Sequence, residues 1–270
     1  MSSVYCIWGP VYSRKSTIAI SIAGKKFVFD MERGMHRAQV TVPNEEPLEI
    51  WQPEVDISVL THFKGDRVLG KKEAWQIFTT AYVTALQRDD IDVIIFDTAK
   101  EVWTNCHQSV LQEKQDMQWE DAVAHNPNIT EDKMEWRKQL IQVEFTMPNE
   151  RMSALINLAR SFGKDLVLIN HEREVFGPTI VQGKIEHLPT GKFELDGFKH
   201  TLELADWAFL TTKEDVVIDS KVSSSSTKLA FKARVIKCPL GAQVVGQVLT
   251  NLTLPAVVNL ANSLTAGTQV

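Results

Sequence analysis

A short stretch near the start of the chain, GPVYSRKST, contains the residue types of a phosphate-binding loop. Gly9 follows an apolar run, and Lys15 and Ser16 lie at the far end of the loop. A lysine at this spacing can contact the β- and γ-phosphates of a nucleotide, and the adjacent hydroxyl can bind Mg²⁺. The residues expected to contact ATP are Gly9, Pro10, Val11, Tyr12, Ser13, Arg14, Lys15, Ser16 and Thr17.

Arg14 departs from the usual pattern of such loops, which have a second glycine at this position. A glycine lets the backbone approach the phosphates closely and permits unusual dihedral angles. Arginine adds a long side chain, although its guanidinium is itself a good phosphate ligand. The loop by itself therefore leaves open whether the site works or has degenerated.

Three polar residues follow apolar runs elsewhere in the chain. Asp97 closes VIIFD, where a carboxylate can hold Mg²⁺ together with Ser16. Glu32 follows Asp30 after another such run and is placed to orient and deprotonate an attacking water. His171 ends a third run, where a side chain can sense the γ-phosphate. Each is a weak indication alone, because buried strands often end in polar residues, and only the combination favours a site.

The elements that must position these residues are strands alternating with amphipathic helices. The short apolar runs cover residues 4–8, 26–30, 92–97 and 165–171, and helical periodicity covers residues 75–86 and 149–163. This alternation predicts an α/β sandwich, a mostly parallel sheet with helices on both faces. The carboxyl ends of parallel strands meet at one edge, where ligands bind. From about residue 208 shorter strands predict an antiparallel extension of the sheet.

Composition and length favour one globular domain over residues 1–270. We expect an insertion at residues 115–148, a mobile loop at 172–199, and a C-terminal helix and tail at 255–270. A net charge of −5 argues against binding nucleic acid through basicity alone. Three widely spaced cysteines fit free thiols. No apolar run is long enough to span a bilayer and no signal peptide is visible, so a cytoplasmic protein without a membrane partner is expected.

Four of the motifs around these residues, GPVYSRKST, VFDMERG, VIIFDTA and LVLINHER, resemble those of the RecA-like branch of P-loop ATPases. GPVYSRKST resembles the Walker A motif apart from Arg14, and VIIFDTA resembles Walker B. VFDMERG is similar to the strand that carries the water-activating glutamate, and LVLINHER to the γ-phosphate-sensing strand. The resemblance implies Mg²⁺-dependent ATP hydrolysis with Glu32, Lys15 and His171 as catalytic residues. It also implies Ser16 and Asp97 as the residues that bind Mg²⁺.

HLPTGKFELDGFKHTLELADWAFL and FKARVIKCPLG resemble compact phage ATPases, some of which anneal single strands in recombination. This likeness implies a phage-encoded protein, in the host cytosol, that acts on single-stranded DNA in recombination or replication and is able to form a homo-oligomer. Residues 172–199 take the place of the DNA-contacting loop of RecA recombinases. Lysines in this segment can contact phosphates, and Phe193 or Phe198 can stack on bases. Its acidic residues equally suit binding to a neighbouring subunit.

Two other functions compete with the ATPase. A degenerate P-loop protein would bind nucleotide or a partner as a scaffold without hydrolysis, which Arg14 favours. The retained Lys15, Ser16, Glu32 and Asp97 favour hydrolysis, because a decayed site has no physical reason to keep all four. A small-molecule kinase would usually need an arginine-rich lid, and EREVFG supplies little of one.

Overall fold

The structure, a computed structural model, describes residues 2–41, 48–53, 66–181, 184–218 and 226–250. The strands are β1 Val4–Gly9, β2 Lys26–Asp30, β3 Glu49–Trp51, β4 Val93–Asp97, β5 Asp165–Val181, β6 Lys184–Leu195, β7 Trp207–Ile218, β8 Ser226–Lys237 and β9 Val248–Leu249. The α-helices are α1 Lys15–Ile20, α2 Met35–Thr41, α3 Lys71–Leu86, α4 Ala99–His125, α5 Thr146–Ser161 and α6 Thr201–Leu204. The helix and tail expected at residues 255–270 lie outside the described residues.

The strands form one mixed sheet in the order β3-β2-β4-β5-β1-β7-β8-β9, and β6 pairs with β5 off this path. Pairing is parallel from β3 through β7. It becomes antiparallel between β7 and β8 and between β8 and β9. β5 therefore lies between β1 and β4 and separates the loop strand from the strand that ends in Asp97. The predicted parallel sheet with an antiparallel C-terminal extension is confirmed.

The core lies on both faces of this sheet, as near-continuous apolar strands require. All residues of β1, β2 and β4 are buried. On one face the strands pack against α3, α4 and α5, with Phe78, Val102 and Ile156 among the buried contacts. On the other face they pack against α1 and α2, through Ile18 and Met35. Helices on both faces of a mostly parallel sheet give the α/β P-loop fold that the sequence predicted.

Residues 172–181 and 184–195 form the two strands of an extended antiparallel hairpin where the sequence favours a loop over 172–199, and the mobility of this segment stays a prediction. Gly177, Pro178, Pro189 and Gly191 had favoured a loop. In a two-stranded ribbon each strand has a free edge, so a proline that points its missing N–H outward removes no pairing bond. Phe198, expected to stack on bases, is instead buried in the core beside Trp103.

The segment expected as an insertion, residues 115–148, contains the end of α4, two short 3₁₀ turns and the start of α5. Gln115 is fully buried and joins this segment to residues before α3, because its amide donates to the carbonyls of Asp66 and Arg137. Whether the segment is an insertion relative to other proteins stays a prediction. None of the helices in the described ranges, the 27-residue α4 included, is long and apolar enough to cross a membrane.

The aromatic cluster around Phe29 supplies a test of the packing. Its ring is fully buried and contacts the rings of Trp51, Phe78, Tyr82 and Phe96. Phe29→Ala should lower the free energy of unfolding by about 3–5 kcal/mol, because it leaves a cavity in a packed core. Urea denaturation measures the change. The matched control, Phe162→Ala at a 40% exposed ring, should change it by about 0.5 kcal/mol or less; equal losses in both variants would contradict this packing.

Candidate active site

The loop after β1 is fixed by a close approach to β7. Gly9 has a φ of +143°, and a Cβ atom there would lie 2.3 Å from the carbonyl oxygen of Thr211. The Thr211 hydroxyl donates to the carbonyl of Trp8 at 3.1 Å and lies 2.5 Å from the Ser13 hydroxyl. Ser13 in turn donates to the carbonyl of Pro10. Packing against β7 thus requires glycine at position 9, and the contact between Thr211 and Ser13 holds the loop against β7.

Arg14 adopts the backbone conformation that the missing glycine would favour. Its φ and ψ are 62° and 29°, in the left-handed region, and it directly precedes α1. An L-residue pays roughly 1–2 kcal/mol for this conformation, so arginine here costs stability relative to glycine. The Arg14 side chain turns to β8, where its guanidinium carbon lies 4.3 Å from the centroid of the Phe231 ring.

The ammonium of Lys15 is held against the loop itself. It donates to the carbonyl oxygens of Gly9 at 3.0 Å and Pro10 at 2.7 Å. The side chain is buried, and this burial lowers the pKa of Lys15 to about 8, although the nearby carboxylate of Asp97 acts in the opposite direction. A charged group in such surroundings gains from an anionic partner, since phosphate oxygens would restore the solvation that burial removes.

Ser16 and Asp97 come together as the sequence predicts. The Ser16 hydroxyl donates to the Asp97 carboxylate at 3.1 Å. Burial raises the pKa of Asp97 to about 6, and the hydrogen bond from Ser16 partly offsets this effect. A hydroxyl and a carboxylate are oxygen ligands of the kind that Mg²⁺ binds while keeping several waters. The pair therefore fits Mg²⁺. Within the described residues, no cluster of three or more His, Cys, Asp or Glu side chains could hold a metal.

Glu32, in the turn after β2, contacts His171 of β5. The Thr98 hydroxyl donates to Oε1 of Glu32 at 2.9 Å, and Nε2 of His171 lies 3.2 Å from Oε2. The hydrogen bond with His171 is the largest effect that lowers the pKa of Glu32, followed by a smaller opposing effect of burial. Glu32 is therefore an ionised carboxylate near neutral pH, held in place from two sides.

Asp30, close to Glu32 in sequence, has a different role. It is fully buried, and its carboxylate accepts hydrogen bonds from the backbone N–H groups of Gly34 and Met35 at the start of α2. The amide of Gln52 donates to it as well. These contacts hold the turn that carries Glu32. Asp30 thus stabilises the turn, and Glu32 is the carboxylate that lines the cavity.

These side chains surround one cavity of about 350 Å³. Residues 11–17 line it, together with Glu32, Asp97 and His171, whereas Gly9 and Pro10 do not line it. Sequence reasoning missed Arg37 of α2 and Phe231 of β8, which also line the cavity. Arg37 follows the Glu32 turn and could have been found from that proximity. Phe231 carried no local indication, because it reaches the site only through the pairing of β8 with β7.

A second hollow, about 710 Å³ and wide open, lies against the end of α4 beside Gln118, Arg137 and Gln139. Arg137 there is paired with Glu144 at 2.5 Å. None of the predicted site residues lines this hollow. The predicted site residues that line a cavity therefore line the smaller one.

The chain is similar to a known protein family and to a solved structure. The family model described as an AAA domain matches residues 2–179, which include the loop, both acidic strand ends and His171. A KaiC-like protein from the hyperthermophilic archaeon Pyrococcus horikoshii aligns with 88% of this chain and 79% of its own, at 10% identity and a TM-score of 0.39. No curated protein matches the chain significantly.

The lowered pKa of Lys15 leads to a prediction about pH. A bound phosphate favours the charged ammonium and raises its pKa above the value of about 8 in the free protein. As the pH rises above about 8, binding of ATP should therefore weaken, by up to about tenfold per pH unit. Calorimetric titrations between pH 7.5 and 9.5 measure this slope. Lys15→Ala should bind weakly with little pH dependence; a wild-type affinity that is constant over this range would contradict the assignment.

Proposed function

The chain belongs to the AAA domain family, and on that premise we propose that it is a Mg²⁺-dependent ATPase that hydrolyses the β–γ phosphoanhydride bond. The observation that carries the proposal is the convergence of Lys15, Ser16, Asp97 and Glu32 on one cavity. Lys15 and Ser16 begin α1, Asp97 ends β4 and Glu32 lies in the turn after β2. Together they provide a cation, two oxygen ligands and a carboxylate. Phosphoryl transfer needs mainly positioning and charge stabilisation, which such a set supplies.

Each residue then has a distinct part in the reaction. Lys15 neutralises phosphate charge, and Ser16 and Asp97 would hold Mg²⁺, which supplies further charge stabilisation when bound. Glu32 orients a water for attack on the γ-phosphorus and accepts its proton. The new bond forms between the water oxygen and phosphorus as the bond to the β-phosphate oxygen breaks. ADP, phosphate and the proton held at Glu32 are the products.

His171 acts in this proposal mainly through Glu32. Its Nε2 lies within hydrogen-bonding distance of both carboxylate oxygens, at 3.2 and 3.3 Å. Phosphate in the cavity would offer Nε2 a second acceptor, so a change of partner at His171 would report the presence of the γ-phosphate. His171 is also the last residue of β5 that pairs with β1 before the hairpin. The His171 side chain thus lies where the hairpin of β5 and β6 begins.

Loss of Glu32 should separate binding from hydrolysis. In Glu32→Gln the loop and the metal ligands stay, so ATP affinity should change by less than about threefold while turnover falls about 100-fold or more, the usual contribution of a general base. Calorimetry and phosphate release measure the two quantities. Glu101→Gln, which removes the same charge from α4 outside the cavity, is the matched control and should keep its turnover. Normal turnover in Glu32→Gln would refute the role of Glu32.

The scaffold alternative differs in one measurable respect. A nucleotide-binding protein without hydrolysis would need no ionised carboxylate held by Thr98 and His171 near the phosphates. The position and the lowered pKa of Glu32 support the enzyme instead. Purified protein with Mg²⁺ and ATP, free of turnover with and without single-stranded DNA, would leave the scaffold as the better description.

We further propose that the hairpin of β5 and β6 contacts single-stranded DNA, in recombination or replication of the phage type, and that the protein can form a homo-oligomer. Support comes from exposure: Phe176 and Phe193 are 57% and 53% exposed, which suits stacking on bases. Lys192 and Lys199 are exposed as well and could contact phosphates. Arg173 is paired with Glu194, so it contributes less charge.

Binding to DNA should be sensitive to salt and to nucleotide. Because phosphate contacts release counterions, the double variant Lys192→Ala with Lys199→Ala should reduce the salt slope by about one to two and weaken binding about tenfold at low salt. Fluorescence anisotropy with a labelled oligonucleotide, with and without ATP, measures both. The control is Lys133→Ala with Lys138→Ala, in the segment between α4 and α5. If the wild type does not bind at low salt, the hairpin is better assigned to contacts between subunits.

A further inference from the structure

Arg14 stands out in the cavity because its charge has only an aromatic partner. The guanidinium carbon lies 4.3 Å from the centroid of the Phe231 ring, and both side chains line the cavity. In the described part of the chain, Arg14 has no side-chain hydrogen bond and no ion pair. Its neighbour Lys15, by contrast, uses its ammonium to bind two loop carbonyls. The Phe231 ring thus positions the Arg14 guanidinium, while its N–H groups make no hydrogen bond to the described residues.

A guanidinium stacked on a ring keeps its donors available. The interaction uses the flat face of the guanidinium, whereas its five N–H groups point outward in the plane. The ring therefore fixes the position of the charge and reduces the side-chain entropy that a ligand would otherwise have to remove. Planar donors of this kind match phosphate oxygens, which accept two parallel hydrogen bonds.

We propose that Arg14 is a phosphate ligand of the nucleotide, and that Phe231 is a positioning residue that holds its guanidinium at the cavity. This inference rests on the proposed nucleotide function and assigns a role to the one residue that departs from the loop pattern. Arg14 adopts the left-handed backbone conformation that glycine would favour at this position. Its side chain would add a contact to phosphate that glycine cannot make. Arginine at this position therefore strengthens the site.

The charges of the cavity agree with this role. The carboxylates of Glu32 and Asp97 face it, and Lys15 and Arg37 also line it as cations. Triphosphate would add several negative charges beside these acids. Arg14 approaches from the β8 side of the loop, away from Asp97 on β4, because β1, β5 and β7 lie between these two strands. It would bring positive charge to the part of the cavity that Lys15 does not serve.

Two probes separate phosphate binding from base stacking: ATP, and inorganic tripolyphosphate, which has no base. Arg14→Met should weaken binding of both by about tenfold or more, as expected for a charge-assisted contact. Phe231→Leu should weaken both by about three- to fivefold, because the guanidinium is no longer held. Phe231→Tyr keeps the ring face and should bind like the wild type. Thermal melting of each variant checks that it is folded.

A double-mutant cycle tests the link between the two residues. If Phe231 acts through Arg14, the double variant should bind no more weakly than Arg14→Met alone. Additive losses would overturn the positioning role, as would an effect of Phe231→Leu on ATP but not on tripolyphosphate, which would mark a base-stacking residue. Unchanged or tighter binding in Arg14→Met or Arg14→Gly would overturn the ligand role.

Lys15→Ala serves to tell two kinds of failure apart. If the wild type binds neither probe, or Lys15→Ala binds both like the wild type, then the proposed nucleotide site itself is wrong. If Lys15→Ala loses binding and Arg14→Met does not, only the inference about Arg14 fails.

Discussion

The parallel register of β1, β5, β4 and β2 is the constraint on which the site depends. Gly9 pairs with His171, Ile169 pairs with Asp97, and Asp97 pairs with Asp30. Asp30 and Asp97 end their strands, and His171 is the last residue of β5 that pairs with β1, so these polar residues lie at one edge of the sheet. Because side chains alternate between the two faces of a strand, a slip of one residue in any of these pairings would move a site residue to the opposite face.

Burial of Lys15 and Asp97 at this edge of the sheet shifts their pKa values. Lys15 and Asp97 are both nearly excluded from water, and burial shifts their pKa values towards each other, to about 8 and about 6. Each charged form is thus less favourable than it would be in solution. Partners of opposite charge, a phosphate for Lys15 and a divalent cation for Asp97, would relieve this cost. A metal–nucleotide complex, the ligand that we propose, carries both of these charges together.

The β5 strand connects this site to the outer surface. Its first half is buried between β1 and β4, and its second half pairs with β6 alone among the described strands. His171, which contacts Glu32, lies at the boundary between the halves. A single continuous strand thus runs from the reacting groups into an exposed hairpin. Such a strand is a physical route by which the state of the cavity can affect what the hairpin binds, and the reverse.

The sequence by itself determined the loop from Gly9 to Ser16, the acidic strand ends and the α/β sheet, because these depend on local spacing and hydrophobic pattern. The tertiary structure decided what local spacing does not encode. Asp30 caps α2 while Glu32 reaches the cavity, a division that follows from the turn between them. Residues 172–181 pair with residues 184–195 as a hairpin despite their glycines and prolines, because pairing between strands outweighs local preference. Phe231 meets Arg14 only because two antiparallel strands bring together residues far apart in the chain.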